Sequence, residues 1–117
     1  VLACVLFVRR QSAIFRVEEV ARTAQQITFK LYGSLFFGAV AKVDPLLAAA
    51  EAAEPGQTLM LDATHLISLD TTGLDALEQL HKALDKKGGR LGMVGVNEQP
   101  RSLIERSGFA QRLHTFL

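Results

Sequence analysis

Cysteine is nearly absent. Cys4 is the single one in 117 residues, so no internal disulfide can form and no paired Cys/His spacing offers a metal site. Such sparing use fits a reducing compartment. Net charge is also slight, a formal +1, which argues against a nucleic-acid partner. The apolar opening, Val1 to Val8, is eight residues long, while a bilayer crossing needs roughly 20. A secretory signal would begin with its positive charges, and here Arg9-Arg10 come last. Neither a G-x-G-x-x-G nor a Walker sequence occurs. Gly88, Gly89, Gly92 and Gly95 enter a predicted strand instead of joining strand to helix, so they read as packing glycines.

What is present is an apolar content of 49%, enough for the core of one domain. Positive charge is concentrated at the front. Residues 1–30 carry five basic groups against two acidic ones, net +3, and the remainder eight against ten, net −2. The chain opens without methionine, as a fragment of a longer protein would. Two readings of residues 1–10 compete: a segment packed on this domain, or the end of a truncated membrane helix. The second is favoured, with Arg9-Arg10 at its cytoplasmic end. Residues 11–26 read as a juxtamembrane linker helix, with Ile14, Val17 and Ala21 on one face and a Glu18–Arg22 pair.

From residue 27 to 117 the pattern is that of one α/β domain. Ile27 to Leu31 alternates like a strand with one wet face, Gly33-Ser34 reads as a turn, and Leu35-Phe36-Phe37 as a returning strand. Ala39 to Ala53 is helical by composition, and Pro45 either kinks it or starts a second segment capped by Asp44. Thr58 to Ala63 reads as a central strand and Thr72 to Lys87 as an amphipathic helix. Its stripe is Leu74, Leu77, Leu80 and Leu84, its opposite side carries a Glu78–Lys82 pair, and Gly88-Gly89 stops it. A strand from Arg90 to Val96, a helix from about Pro100 to Ser107 and a short end segment follow. Gly92 and Gly95 suggest a helix packed closely over their strand. Alternating strands and helices imply a mainly parallel sheet with an antiparallel N-terminal edge hairpin and helices packed on it.

The chemistry-bearing residues gather between the central strand and its helix, at Asp70-Thr71-Thr72-Gly73. Asp70 or a threonine can cap the helix, the helix N-terminus favours anions, and Gly73 lets a partner approach the backbone. Phosphate on Thr71 would add nearly two negative charges, which Asp70 and Asp75 would repel. His65, placed in the same loop, suggests a His/Asp/Thr nucleophile arrangement, but nothing supplies an oxyanion hole, and no enzyme is expected. Asp62 interrupts an apolar strand and needs hydrogen-bond partners. His81, on the leucine side of its helix, reads as a core-edge residue.

Leu61-Asp62, Leu69-Asp70-Thr71-Thr72-Gly73-Leu74-Asp75-Ala76-Leu77, Gly88-Gly89-Arg90-Leu91 and Ser107-Gly108-Phe109 together resemble the STAS domain, shared by sulfate transporters and anti-sigma factor antagonists. Gly33-Ser34-Leu35-Phe36-Phe37-Gly38-Ala39 is similar to the start of that domain in SulP-type anion transporters. The resemblance implies a STAS-type sandwich serving as the cytoplasmic C-terminal regulatory or interaction domain of a bacterial SulP-family permease. The substrate class would be inorganic anions such as sulfate or bicarbonate, and the location the cytoplasmic face of the inner or plasma membrane. Alternatives are a soluble anti-sigma factor antagonist switched by phosphorylation of the D-T-T-G loop, and a nucleotide-binding regulatory domain. In the antagonist branch the phosphoacceptor position corresponds to Thr71, where serine is usual.

The regulatory loop is therefore Asp70, Thr71, Thr72 and Gly73, and the candidate interaction surface is Phe36, Phe37, His65 and Ser68. No catalytic residue, metal or cofactor is expected. The expected partners are the transmembrane domain of the same transporter and a regulatory protein, with nucleotide a weak candidate, homo-oligomerisation open and nucleic acid excluded.

Overall fold

The computed structural model describes residues 15–117, without the side chains of Phe37 and Val40. The membrane-helix reading of residues 1–10 and the first part of the expected linker lie outside them. Among the described residues no helix is long and apolar enough to cross a membrane.

Five strands form one sheet in the order β1-β2-β3-β4-β5, namely Arg16–Arg22, Gln26–Leu35, Thr58–Leu69, Arg90–Val94 and Thr115–Phe116. β1 pairs antiparallel with β2, and every later pair is parallel. Parallel neighbours need crossovers, supplied by α1 (Asp44–Glu51), α2 (Thr71–Lys86) and α3 (Glu98–Ser107). Because strand order follows chain order and such crossovers are right-handed, all three helices lie on one face of the sheet. Burial agrees: Ile27, Phe29, Leu31, Gly33 and Leu35 of β2 are buried while the residues alternating with them are half-exposed. The expected mainly parallel α/β sandwich with an N-terminal edge hairpin is the observed architecture.

The hairpin, however, is made one segment earlier than expected. Residues 16–22 form strand β1, not a linker helix. Thr23 closes the turn: its hydroxyl accepts from the N–H groups of Gln25 and Gln26, and its own N–H donates to the Gln26 carbonyl at 2.8 Å. Three apolar residues at helical spacing gave too weak a signal, and a bulge between Glu19 and Ala21 breaks the alternation that would have marked a strand. Arg22 consequently pairs with Glu19 at 2.9 Å, and Glu18 accepts from the Tyr32 hydroxyl at 3.1 Å. Gly33-Ser34 is not a turn either, since β2 runs straight through it to Leu35. Gly33 takes φ +87°, the left-handed conformation open to glycine, where the register with β3 shifts.

Pro45 splits the next segment. A 3-10 turn, Phe37–Val43, leads into α1, in which Pro45 occupies the first turn and needs no N–H partner. The N-cap is Val43, and Asp44 makes no capping bond there. α2 buries Leu74, Leu77, Leu80 and Leu84, as the leucine stripe requires. It ends in a Schellman motif: Gly88, at φ +76°, donates to Asp85, and Gly89 donates to Leu84 at 2.8 Å. Glu78 is paired with Arg112 at 3.6 Å rather than with Lys82. Gly92 is closed in by neighbouring strands, not by a helix. A Cβ there would meet Met60 and Thr115 within about 3 Å.

Candidate functional site

The central strand is longer than its apolar run suggests. β3 continues from Ala63 to Leu69, so His65 and Ser68 lie on a strand and not in a loop. Two extra residues are taken up along it. Lys30 and Tyr32 of β2 oppose Asp62 and His65, and Gly33 and Ser34 oppose Leu66 and Ser68. These are bulges in the longer strand. They turn two consecutive residues outward twice, Thr64-His65 and Ile67-Ser68, while Ala63, Leu66 and Leu69 stay in the core. Asp62 secures the first bulge by accepting from the Thr64 hydroxyl at 2.6 Å and the Thr64 N–H at 3.1 Å. Those two bonds hold its carboxyl below the ordinary carboxylate range, against partial desolvation, with Lys30 and His65 adding smaller attraction.

Beyond Asp62, β3 has no β4 neighbour. Two amide side chains from the start of α3 occupy that edge. Asn97 Nδ2 donates to the carbonyls of Thr64 and Leu66, both at 3.0 Å. Gln99 makes a two-way pair with Leu69, accepting its N–H at 2.7 Å and donating to its carbonyl at 2.9 Å. Neither role along β3 is visible in the sequence, because it depends on where β4 stops.

Gln99 thus fixes the residue immediately before Asp70. Asp70 N–H donates to the Leu35 carbonyl at 3.2 Å, and its extended backbone places it as the N-cap of α2. Its Oδ1 accepts from Gly73 N–H at 2.7 Å, and its carbonyl from Leu74 N–H at 2.9 Å. Between the two choices for the cap, Asp70 is the one used. Gly73 is buried, and the group that approaches it belongs to the chain itself. A Cβ at this position would lie 2.5 Å from the Leu35 carbonyl oxygen and 2.8 Å from Leu69 Cδ1. Gly73 therefore lets α2 start directly against the end of β2, and is not open to a partner. Thr71 is exposed and Thr72 half-buried, flanked by the exposed Asp70 and Asp75.

The remaining candidates divide. Phe36 is 44% exposed and follows Leu35, so its ring lies at the same end of the sheet as the Asp70 cap. Ile67, 62% exposed on the second bulge, was not foreseen as part of this end. Phe37 starts the 3-10 turn instead of ending a strand. His65 is stacked on Tyr32, ring centroids 5.4 Å apart, with the Arg16 guanidinium 3.9 Å from the Tyr32 centroid. It belongs to the wet face of the sheet. Ser68 sits opposite Ser34, half-buried. His81 meets Phe109 edge-on at 6.2 Å, a core-edge position as expected. No group of His, Cys, Asp or Glu among the described residues could hold a metal.

The family model for the STAS domain matches residues 16–117. The chain belongs to the STAS domain family. The STAS match begins at β1, so the first strand of the hairpin is inside it. The chain is 26% identical over 120 residues to a Bacillus subtilis (strain 168) protein named "Putative sulfate transporter YvdB", covering 96% of this chain and 22% of that one. It therefore spans about a fifth of that relative's length. Among solved structures it is similar to the murine Slc26a9 anion transporter in its inward-facing state, with TM-score 0.71, 21% identity, and 99% of this chain but 23% of that one covered. It is likewise similar to an anti-sigma factor antagonist from Mycobacterium paratuberculosis, with TM-score 0.69, 18% identity, and 86% and 85% covered. These likenesses establish the STAS fold and are shared by both branches of the family.

Proposed function

We propose that this STAS domain is the cytoplasmic C-terminal regulatory and interaction domain of a SulP-type inorganic anion transporter, joined to a transmembrane domain and without catalytic activity of its own. The observation that carries the reading is the match of nearly the whole chain to a fifth of a sulfate transporter homologue. The Gly33 to Ala39 resemblance points the same way. Within it, the contact surface is the exposed start of α2, Asp70-Thr71-Thr72, with Phe36 beside it.

The chemistry of that surface suits exclusion more than capture. Thr71 is the first residue of α2, where an acidic substituent is favoured by the helix dipole by about 0.3–1 kcal/mol. The neighbouring Asp70 and Asp75 already make the surface acidic, so added negative charge drives off an acidic partner without disturbing the fold. The test is Thr71→Glu in the intact transporter. Unloading of radiolabelled anion should change while the isolated domain keeps its melting temperature within about 3 °C. Unaltered transport and unaltered partner affinity would refute the assignment of this face.

A second reading, a free-standing anti-sigma factor antagonist, is favoured by the similarity to whole antagonist chains of about this length. The reading frame upstream of Val1 separates the two. Several apolar segments there support the transporter, and none supports the antagonist.

A further inference from the structure

α1 and α2 leave a groove between them on the outer side of the helical layer. Its α2 wall is one stripe at helical spacing, from Thr72 and Asp75 through Gln79 to Ala83 and Lys86. Its α1 wall is Asp44, Leu47 and Glu51, also one face of a helix. Two depressions, of about 230 and 590 Å³, meet at Leu47 and Gln79 and make the groove continuous. Leu47 and Ala83 are only half-buried, so the floor presents apolar surface to solvent.

The two ends differ in charge. Asp44 and Asp75 stand at one end, and Lys82, Lys86 and Lys87 at the other, where Glu51 is the acidic residue of the lining. All six are exposed, and among the described residues none is in an ion pair. From Thr72 to Lys86 the stripe is about 21 Å long at 1.5 Å per residue. That is the length of a four-turn helix.

We infer that the α1/α2 groove is a docking site for an amphipathic helix of a partner protein. The occupant lays an apolar stripe on Leu47 and Ala83, with acidic residues in its first turns against the lysines and basic residues in its last turns against Asp44 and Asp75. This charge order is the one a helix itself favours, since its macrodipole prefers anions at the N-terminus and cations at the C-terminus. It also orients the occupant antiparallel to α1 and α2, whose N-terminal ends are both at the acidic end. The site is of the helix-in-groove type, in which anchors at i, i+3, i+4 and i+7 supply affinity and flanking charge supplies direction. It stands on the geometry of two helices and is independent of the transporter assignment.

The test uses the chain with two synthetic peptides of about 16 residues, both with leucines at i, i+4, i+7 and i+11. One carries glutamates in its first turn and lysines in its last; the other has the same composition with the ends exchanged. Amide shifts of ¹⁵N-labelled chain report the location. The first peptide should perturb Leu47, Gln79 and Ala83 and bind about 3- to 10-fold more tightly than the second, the effect of a few exposed charge pairs. The surface double variant Lys82→Glu, Lys86→Glu should abolish or reverse that preference. No binding of the first peptide at about 1 mM, equal binding of both, or shifts elsewhere overturns the inference. So does concentration-dependent self-association with shifts in the groove, which makes a second copy the occupant. Lysine-dependent binding to anionic vesicles without a peptide preference also overturns it, in favour of lipid.

Discussion

Replacing Gly73 by alanine sets two effects against each other, and the structure decides between them. In an ordinary helix alanine is better than glycine by about 1 kcal/mol, so a freely placed Gly73→Ala change would stabilise. Here the new methyl lies 2.5 Å from the Leu35 carbonyl oxygen and 2.9 Å from Leu35 Cγ. The oxygen is backbone in β2, bonded to Asp70 N–H, and has no room to yield. The start of α2 must lift instead. Overpacking of this kind costs about 1–3 kcal/mol. Lifting also stretches the 2.7 Å bond from Gly73 N–H to Asp70, and losing such a cap costs about 1 kcal/mol more. After the propensity gain the net loss is about 1–3 kcal/mol, or a melting temperature lower by roughly 5–20 °C for a domain of this size. Urea unfolding with an unchanged slope measures it. A Gly73→Ala protein as stable as the parent would refute the close approach of α2 to β2, and with it the placement of the D-T-T-G segment.

Gln99→Ala leaves the Leu69 N–H and carbonyl without their side-chain partner, a loss of about 1–3 kcal/mol, with faster hydrogen exchange at the Leu69 amide. An unchanged Leu69 protection factor would contradict it. Asp62 adds a pH dependence whose sign follows from its lowered pKa. Its contribution is complete above the unfolded carboxylate value of about 4 and is lost as pH falls through the lower folded value. The stability difference between the parent and Asp62→Asn should therefore shrink below about pH 4. A difference constant from neutral pH to about 2.5 would count against the Thr64 bonds as its cause.

Much of this architecture is written in local pattern. The four leucines of α2, the Gly88-Gly89 stop and the strand–helix alternation each depend on near neighbours, and each reads directly from sequence. The features that escaped depend on partners distant along the chain. β1 has an almost fully exposed pattern because it is an edge, so its seven residues lack the alternation that identifies a half-buried strand. Leu66 and Leu69 sit three apart in a strand only because a bulge intervenes, a spacing that sequence assigns to a loop or helix. At the site, Asp70 as cap is legible from type and position. That Gly73 serves packing became evident only once Leu35 was placed against it. Asn97 and Gln99 are about 30 residues from the strand they hold, and no periodicity reports that distance.

The amides of Asn97 and Gln99 have a further consequence for how the molecule behaves in company. A bare strand margin of this length is adhesive, since its unmet backbone groups can recruit any extended segment that drifts by. Here the slots at Thr64, Leu66 and Leu69 are already filled from within. An intruding strand would first have to evict two side chains anchored on a helix. The far end of the sheet can thus leave Ile67 and Phe36 exposed while staying closed to zippering with its own kind.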